Sequence, residues 1–156
     1  MRLTLLAVGR WRAGPLQSLF DDYARRLGSG PLGPLQLKEV ELRKPLPPEA
    51  QKAREAELIL AALPAGARLI ALDEKGRSLD SRGFAQLLGR WRDEGVRETA
   101  LAIGGADGLD PSLRRRADLC LSLGALTWPH MLVRVLLAEQ LFRADAILQG
   151  HPYHRD

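Results

Sequence analysis

Five short apolar runs alternate with five stretches of helical periodicity along this chain, and that alternation leaves few folds open. Arg2–Val8, Leu35–Leu42, Arg68–Asp73, Glu98–Ile103 and Leu119–Leu123 each have the length and apolar content of a strand. Between them, Pro15–Leu27 places Leu16, Leu19, Phe20, Tyr23 and Leu27 at spacings of three and four. Glu49–Leu63 is charged on one side and carries Leu58, Ile59, Ala62 and Leu63 on the other. Ser81 reads as the N-cap of a helix through Asp93, with Phe84, Leu87, Leu88 and Trp91 as its buried stripe. Asp110-Pro111 is a cap-plus-proline start for a short fourth helix, and Pro129–Leu148 is the last and longest. Arg43–Pro48 reads as a basic surface loop and Glu74-Lys-Gly76 as a turn ending the third strand. The pattern predicts an α/β fold, a mostly parallel sheet with helices on both faces. No repeat or low-complexity segment divides it, so residues 1–156 read as a single domain.

Composition narrows the partners. Lys and Arg outnumber Asp and Glu by 23 to 19, a net charge of +4, which favours an anionic partner such as nucleic acid. The single Cys120 excludes an internal disulfide and a cysteine metal cluster. Met1–Val8 is too short an apolar run for an export signal and leads into Gly9-Arg-Trp-Arg12. No apolar run has membrane-spanning length, so the expectation is a cytoplasmic protein with no membrane partner.

Two stretches in the last third read as one binding site made from two loops. Ile103-Gly-Gly-Ala-Asp-Gly-Leu109 is a strand ending in a glycine turn, where Gly104, Gly105 and Gly108 permit positive φ and close backbone approach. Leu121 to Arg134 is a strand that breaks at Gly124, turns at Thr127, and enters a helix with Pro129 in its first turn. Backbone groups beside small and apolar side chains, with no lysine in either loop, suit a flat uncharged ring such as adenine better than a phosphate. In parallel sheets, ligands bind beyond the carboxyl ends of strands, which here are Leu72, Ile103 and Leu123. The final helix carries Met131, Leu132, Val135, Leu136, Leu137, Leu141, Phe142, Ile147 and Leu148 nearly all round. Such a helix needs cover on several sides, and the expectation is a second subunit, hence a homodimer.

Gly104-Gly-Ala-Asp-Gly108, Leu121-Ser-Leu-Gly-Ala-Leu-Thr-Trp-Pro-His130 with Arg134, Glu139-Gln-Leu-Phe-Arg-Ala144 and the terminal His151-Pro-Tyr-His154 occur in that order. Together they resemble the RlmH family, bacterial large-subunit (23S) ribosomal RNA pseudouridine N3-methyltransferases of the SPOUT class. The likeness extends more loosely to Leu5–Gly9, Tyr23–Arg26 and Leu72-Asp73. The resemblance implies a C-terminal trefoil knot, which no pattern argument yields. It also implies a homodimer with its active site at the subunit interface, and assembled ribosomes as the substrate. The implied cofactor is S-adenosylmethionine, with Leu72, Gly104, Leu123, Gly124, Ala125, Leu126, Thr127 and Trp128 carried over as its pocket. Two positions depart from the family: Gly124 stands where serine is frequent, and Gly150 where asparagine is common.

Methylating a pseudouridine N3 requires alignment, exclusion of water and loss of the N3 proton. His154 is the candidate for proton handling or base positioning, and Arg134 for the charge on the base or a phosphate. His130, His151, Tyr153 and Arg155 are candidate substrate contacts, with local capping or packing as the plain alternative for His130. A metal site is not expected, because the three histidines lack cysteine or carboxylate company at ligand spacing. The alternative for the whole chain is a non-catalytic basic RNA-binding module of the ribosome, whose sign would be a pocket too closed for the cofactor. Dehydrogenase-type nucleotide binding fails for want of a Gly-x-Gly-x-x-Gly turn after the first strand.

Overall fold

A computed structural model describes residues 1–155 of the chain. Its strands are β1 (Arg2–Val8), β2 (Leu35–Val40), β3 (Arg68–Ser78), β4 (Glu98–Ile103) and β5 (Leu119–Ser122). They form one sheet in the order β2-β1-β4-β3-β5, and every neighbouring pair is parallel. The helices are α1 (Pro15–Leu27), α2 (Pro48–Ala62), α3 (Ser81–Asp93), α4 (Pro111–Arg116) and α5 (His130–Leu148). Among the described residues, no helix is long and apolar enough to cross a membrane.

Strand alternation divides the core into two layers. Leu3, Leu5 and Ala7 of β1, Ile70 of β3, and Leu101 and Ile103 of β4 pack with α1, α3 and α5. Leu6, Val8, Leu69, Ala71, Ala100 and Ala102 face the other way, against Ala56 and Ile59 of α2 and Leu113 of α4. Helices therefore cover both faces, as the alternation predicts. Because all strands run the same way, the loops that follow them gather at one edge of the sheet.

Several boundaries differ from the sequence reading, each for a local reason. β2 stops at Val40 because its partner ends at Val8, where Gly9 turns at φ 88° and donates its N–H to Val40 O at 2.9 Å. β3 does not end in a turn at Glu74-Gly76. Leu72 and Arg77 both pair with Leu121, so residues 73–76 bulge out of the ladder before Ser78 pairs with Ser122. Gly76 is needed there, since a Cβ would lie 2.6 Å from Cys120 O. The N-cap of α3 is Asp80, whose carboxylate accepts from Gly83 N–H at 2.7 Å; Ser81 is the first helical residue. α2 begins one residue early, at Pro48, and Pro129 is the N-cap of α5 rather than part of its first turn.

The cover of α5 comes in large part from its own chain. It lies between α1 and α3, and no residue from His130 to Leu148 is exposed. Leu137, Ala138 and Leu141 are wholly buried, whereas Leu132, Leu136 and Gln140 form a half-buried outward stripe at spacings of four.

Candidate active site

Beyond the ends of β3, β4 and β5 lies a cleft of about 370 Å³. Ile103, Gly104, Gly105, Ala106, Gly108 and Leu109 form one wall. Leu121, Leu123, Gly124, Leu126, Thr127 and Trp128 form the opposite one. The β3 bulge contributes Leu72, Asp73 and Glu74, and α5 contributes His130 and Val133. Three strand ends thus converge on one crevice. Of the eight pocket positions implied by the resemblance, Ala125 alone stays out of the wall and is exposed.

The glycines reach this geometry by two routes. Gly108 adopts φ 83° and Gly124 φ 105°, but Gly104 and Gly105 do not have positive φ, contrary to the sequence reading. They are required for space instead. A Cβ on Gly104 would lie 2.8 Å from Leu109 Cδ2 and 2.9 Å from Gly108 O. A Cβ on Gly105 would lie 2.8 Å from both carboxylate oxygens of Glu55. Across the cleft, Trp128 Nε1–H donates to Leu123 O at 3.3 Å and Gly124 N–H to Ser122 Oγ at 3.1 Å, which together shape the second loop.

His130 and Arg134 fasten the start of α5 to the end of β1. His130 Nε2 lies 2.6 Å from Val8 O. A carbonyl only accepts, so Nε2 carries the hydrogen and Nδ1 the lone pair of the neutral ring. Burial pushes this imidazole below its ordinary pKa, and the Arg134 charge adds to that; the Val8 bond and the Glu55 charge oppose it. Arg134 is wholly buried. Its Nη1 donates to Glu39 at 2.7 Å, its Nη2 to Val8 O at 3.0 Å and Gly9 O at 2.9 Å. Its guanidinium carbon sits 4.8 Å from the Trp11 ring centre. Arg134 points inward and holds Val8 O, Gly9 O and Glu39, and its equally buried Nε has no partner.

The tail sits at the other end of α5. Gly150 turns at φ 67° and His151 N–H bonds Ala146 O at 2.9 Å, capping the helix and reversing the chain. Tyr153 packs edge-on against Phe142 at 4.7 Å and donates its hydroxyl to Glu139 at 3.0 Å. Arg143 stacks over the Tyr153 ring at 4.9 Å and places Nη1 3.3 Å from His154 Nδ1. Burial and the Glu139 carboxylate push the Tyr153 phenol upward, so it stays a neutral donor. His151 and Arg155 are exposed. From His130 to Arg143 is thirteen helical steps, roughly 20 Å. Within one chain the tail and the cleft do not meet.

Some residues of the site lie outside the sequence reading. Glu55 is a buried carboxylate beneath the glycine loop, bonded to Gln51 at 2.6 Å, with its second oxygen unpartnered. Its position four residues before Ile59, on the apolar stripe of α2, is the one sequence signal that marks it. Trp11 and Glu39, which enclose Arg134, carry no such signal. Arg12, Arg43 and Lys44 follow β1 and β2 and so lie on the cleft edge of the sheet, and none of them makes an ion pair among the described residues.

A family model described as "Predicted SPOUT methyltransferase" matches residues 1–154. The chain is 59% identical over 155 residues to the ribosomal RNA large subunit methyltransferase H of Paramagnetospirillum magneticum, covering 99% of both. It is 58% identical over 155 residues to the protein of that name from Rhodospirillum centenum, again covering 99% of both. Among solved structures, the SpoU methyltransferase AviRb from Streptomyces viridochromogenes, crystallised with the cofactor AdoMet, superposes with a TM-score of 0.48 at 20% identity. That superposition covers 91% of this chain and 57% of AviRb, so this chain spans less than two thirds of that protein. With a family match from residue 1 to 154 and relatives more than half identical end to end, the chain belongs to the SPOUT methyltransferase family and, within it, to the ribosomal RNA large subunit methyltransferase H group.

Proposed function

We propose that this protein transfers a methyl group from S-adenosylmethionine to N3 of a pseudouridine in 23S ribosomal RNA. In this reading it acts in the cytoplasm as a homodimer on assembled ribosomes. The observation that carries the reading is the cleft, which joins three strand ends and seven of the eight implied pocket residues in a chain closely related to ribosomal RNA methyltransferases. Its walls fit the cofactor. Leu72, Ile103, Leu109, Leu123 and Trp128 offer apolar faces to an adenine, and the side-chain-free approach at Gly104 and Gly105 brings backbone groups within reach. Asp73 and Glu74 at the bulge place carboxylates beside a cationic ligand. Asp73 is held there by Arg114. When bound, the sulfonium supplies an electrophilic methyl group. The chain's part is to exclude water, orient the base and deal with its proton. A cleft of a few hundred cubic ångströms is the size of small-molecule sites in general, and its openness does not favour a non-catalytic RNA-binding module.

The separation of tail and cleft supports the dimer. A tail roughly 20 Å from its own chain's cleft is placed to complete the cleft of a second copy, with His151, Tyr153, His154 and Arg155 as contacts to an extruded base and its phosphates. Leu132 and Leu136, with exposed Leu126 and Trp128, are the proposed seam. The trefoil knot belongs to the same proposal, with α5 passing from the loop after β5 back between α1 and α3. The basic edge of Arg12, Arg43 and Lys44 would meet RNA phosphates. The test is incubation of the protein with labelled S-adenosylmethionine and ribosomes lacking the modification. The expected result is label in the large-subunit RNA. Label in the small-subunit RNA, or none, contradicts the reading.

A further inference from the structure

We propose that Nδ1 of His130 accepts the proton that the target base loses, a catalytic role that passes over His154. The inference rests on the function proposed above. It stands on three features of the geometry. First, His130 lines the cleft itself, with Gly104, Leu72 and Trp128. Second, the 2.6 Å bond from Nε2–H to Val8 O fixes the tautomer, so the basic lone pair lies on Nδ1, for which no protein partner is found among the described residues. The Nδ1 of His154, by contrast, faces a guanidinium N–H of Arg143 at 3.3 Å, and that donor occupies its lone pair. Third, the ring is tethered: it is half-buried at the first position of α5 and bonded to the end of β1.

The charges around the ring suit a base rather than an acid. From α5, the Arg134 cation disfavours a second positive charge, and burial acts in the same direction and more strongly. Glu39 of β2 pairs with that cation and tempers it. From α2, the buried Glu55 carboxylate favours the imidazolium once the proton arrives. Asp73 and Glu74 lie on the same cleft from the β3 bulge. The ring is thus neutral in the resting protein and has a carboxylate at hand to stabilise its charged form. In the step itself the N3–H bond breaks and its proton forms the Nδ1–H bond. The electron pair stays on N3 as the nucleophile, and the imidazolium then releases the proton to solvent. Such a base contributes on the order of 10²–10⁴ in rate.

His130→Gln separates base from anchor, because the glutamine amide still donates to Val8 O but offers no basic nitrogen. The expected turnover on ribosomes falls about a hundredfold or more near neutral pH, with affinity for S-adenosylhomocysteine unchanged. The wild-type rate falls on the acid side with a midpoint below 6.5. The variant loses that limb, and its rate instead climbs about tenfold per pH unit as hydroxide replaces the base. A readout independent of turnover is the long-range proton–nitrogen NMR spectrum of the wild-type ring, which should show the neutral Nε2–H tautomer at neutral pH. An Nδ1–H tautomer overturns the proposal, as does an unchanged pH profile in the variant. Loss of S-adenosylhomocysteine by the variant overturns it too, by making His130 part of the cofactor seat. If wild-type protein methylates no ribosomal RNA, the function it rests on falls, whatever the tautomer.

Discussion

At Gly104 the space for one methyl group is missing, because Gly108 O and Leu109 already occupy the place a Cβ would take. Gly104→Ala should therefore force the glycine loop out of position and weaken binding of S-adenosylhomocysteine by about tenfold or more, equivalent to roughly 1.4 kcal/mol. Calorimetry showing undiminished affinity contradicts this. Arg134 is a different case. Replacing it by Met takes the guanidinium from Gly9 O, Val8 O and the Glu39 carboxylate, a loss of about 3 kcal/mol that denaturant unfolding would read as a lowered midpoint. A variant as stable as the parent removes the positioning role. The sequence places both residues near the site, but it cannot say which way Arg134 points. Helical spacing fixes a face, and the partners on that face (Val8, Gly9, Glu39) lie more than ninety residues away in the chain.

The elements were legible because each declares itself locally. Apolar runs of strand length and the stripes of α1 and α3 survive in the folded chain nearly unchanged. What escaped was set by pairing. The overrun of β3 past Asp73 depends on Leu121 serving as partner twice, and a turn-like Glu-Lys-Gly gives no hint of that. The apolar circumference of α5 asks for cover on several sides, and α1 and α3 supply much of it. That division makes two substitutions on α5 behave differently. Leu141→Asp buries an unpaired carboxylate within the chain's own core and should abolish folding. Leu136→Asp lies on the half-buried stripe and should yield a folded monomer in sedimentation. A folded dimer from both would refute the assignment of inner and outer faces. The tail is a third element with its own outcome. Removing residues 151–156 leaves every strand and helix in place, so cofactor affinity should hold while methyl transfer falls at least a hundredfold. Normal transfer by the truncated protein would show that the tail takes no part.

At the scale of the whole molecule, one fact of topology does most of the organising. A wholly parallel sheet delivers the glycine loop, the Leu123–Trp128 loop, the β3 bulge and the basic loops after β1 and β2 to a single edge. A cofactor cleft and a phosphate-binding rim thereby become neighbours with no further device, although Arg12 lies more than ninety positions from Gly104. The sequence could announce the alternation that builds such a sheet. It could not announce the strand order, which decides that β3, β4 and β5 share the crevice while β1 and β2 hold the rim. The most direct measurement is the structure of the protein bound to the ribosome with S-adenosylhomocysteine present. The account predicts the ligand between Gly104 and Trp128 and the tail of the second subunit over it. It also predicts Arg12, Arg43 and Lys44 against RNA phosphates. A ligand seated elsewhere, or that edge turned toward solvent, would contradict it.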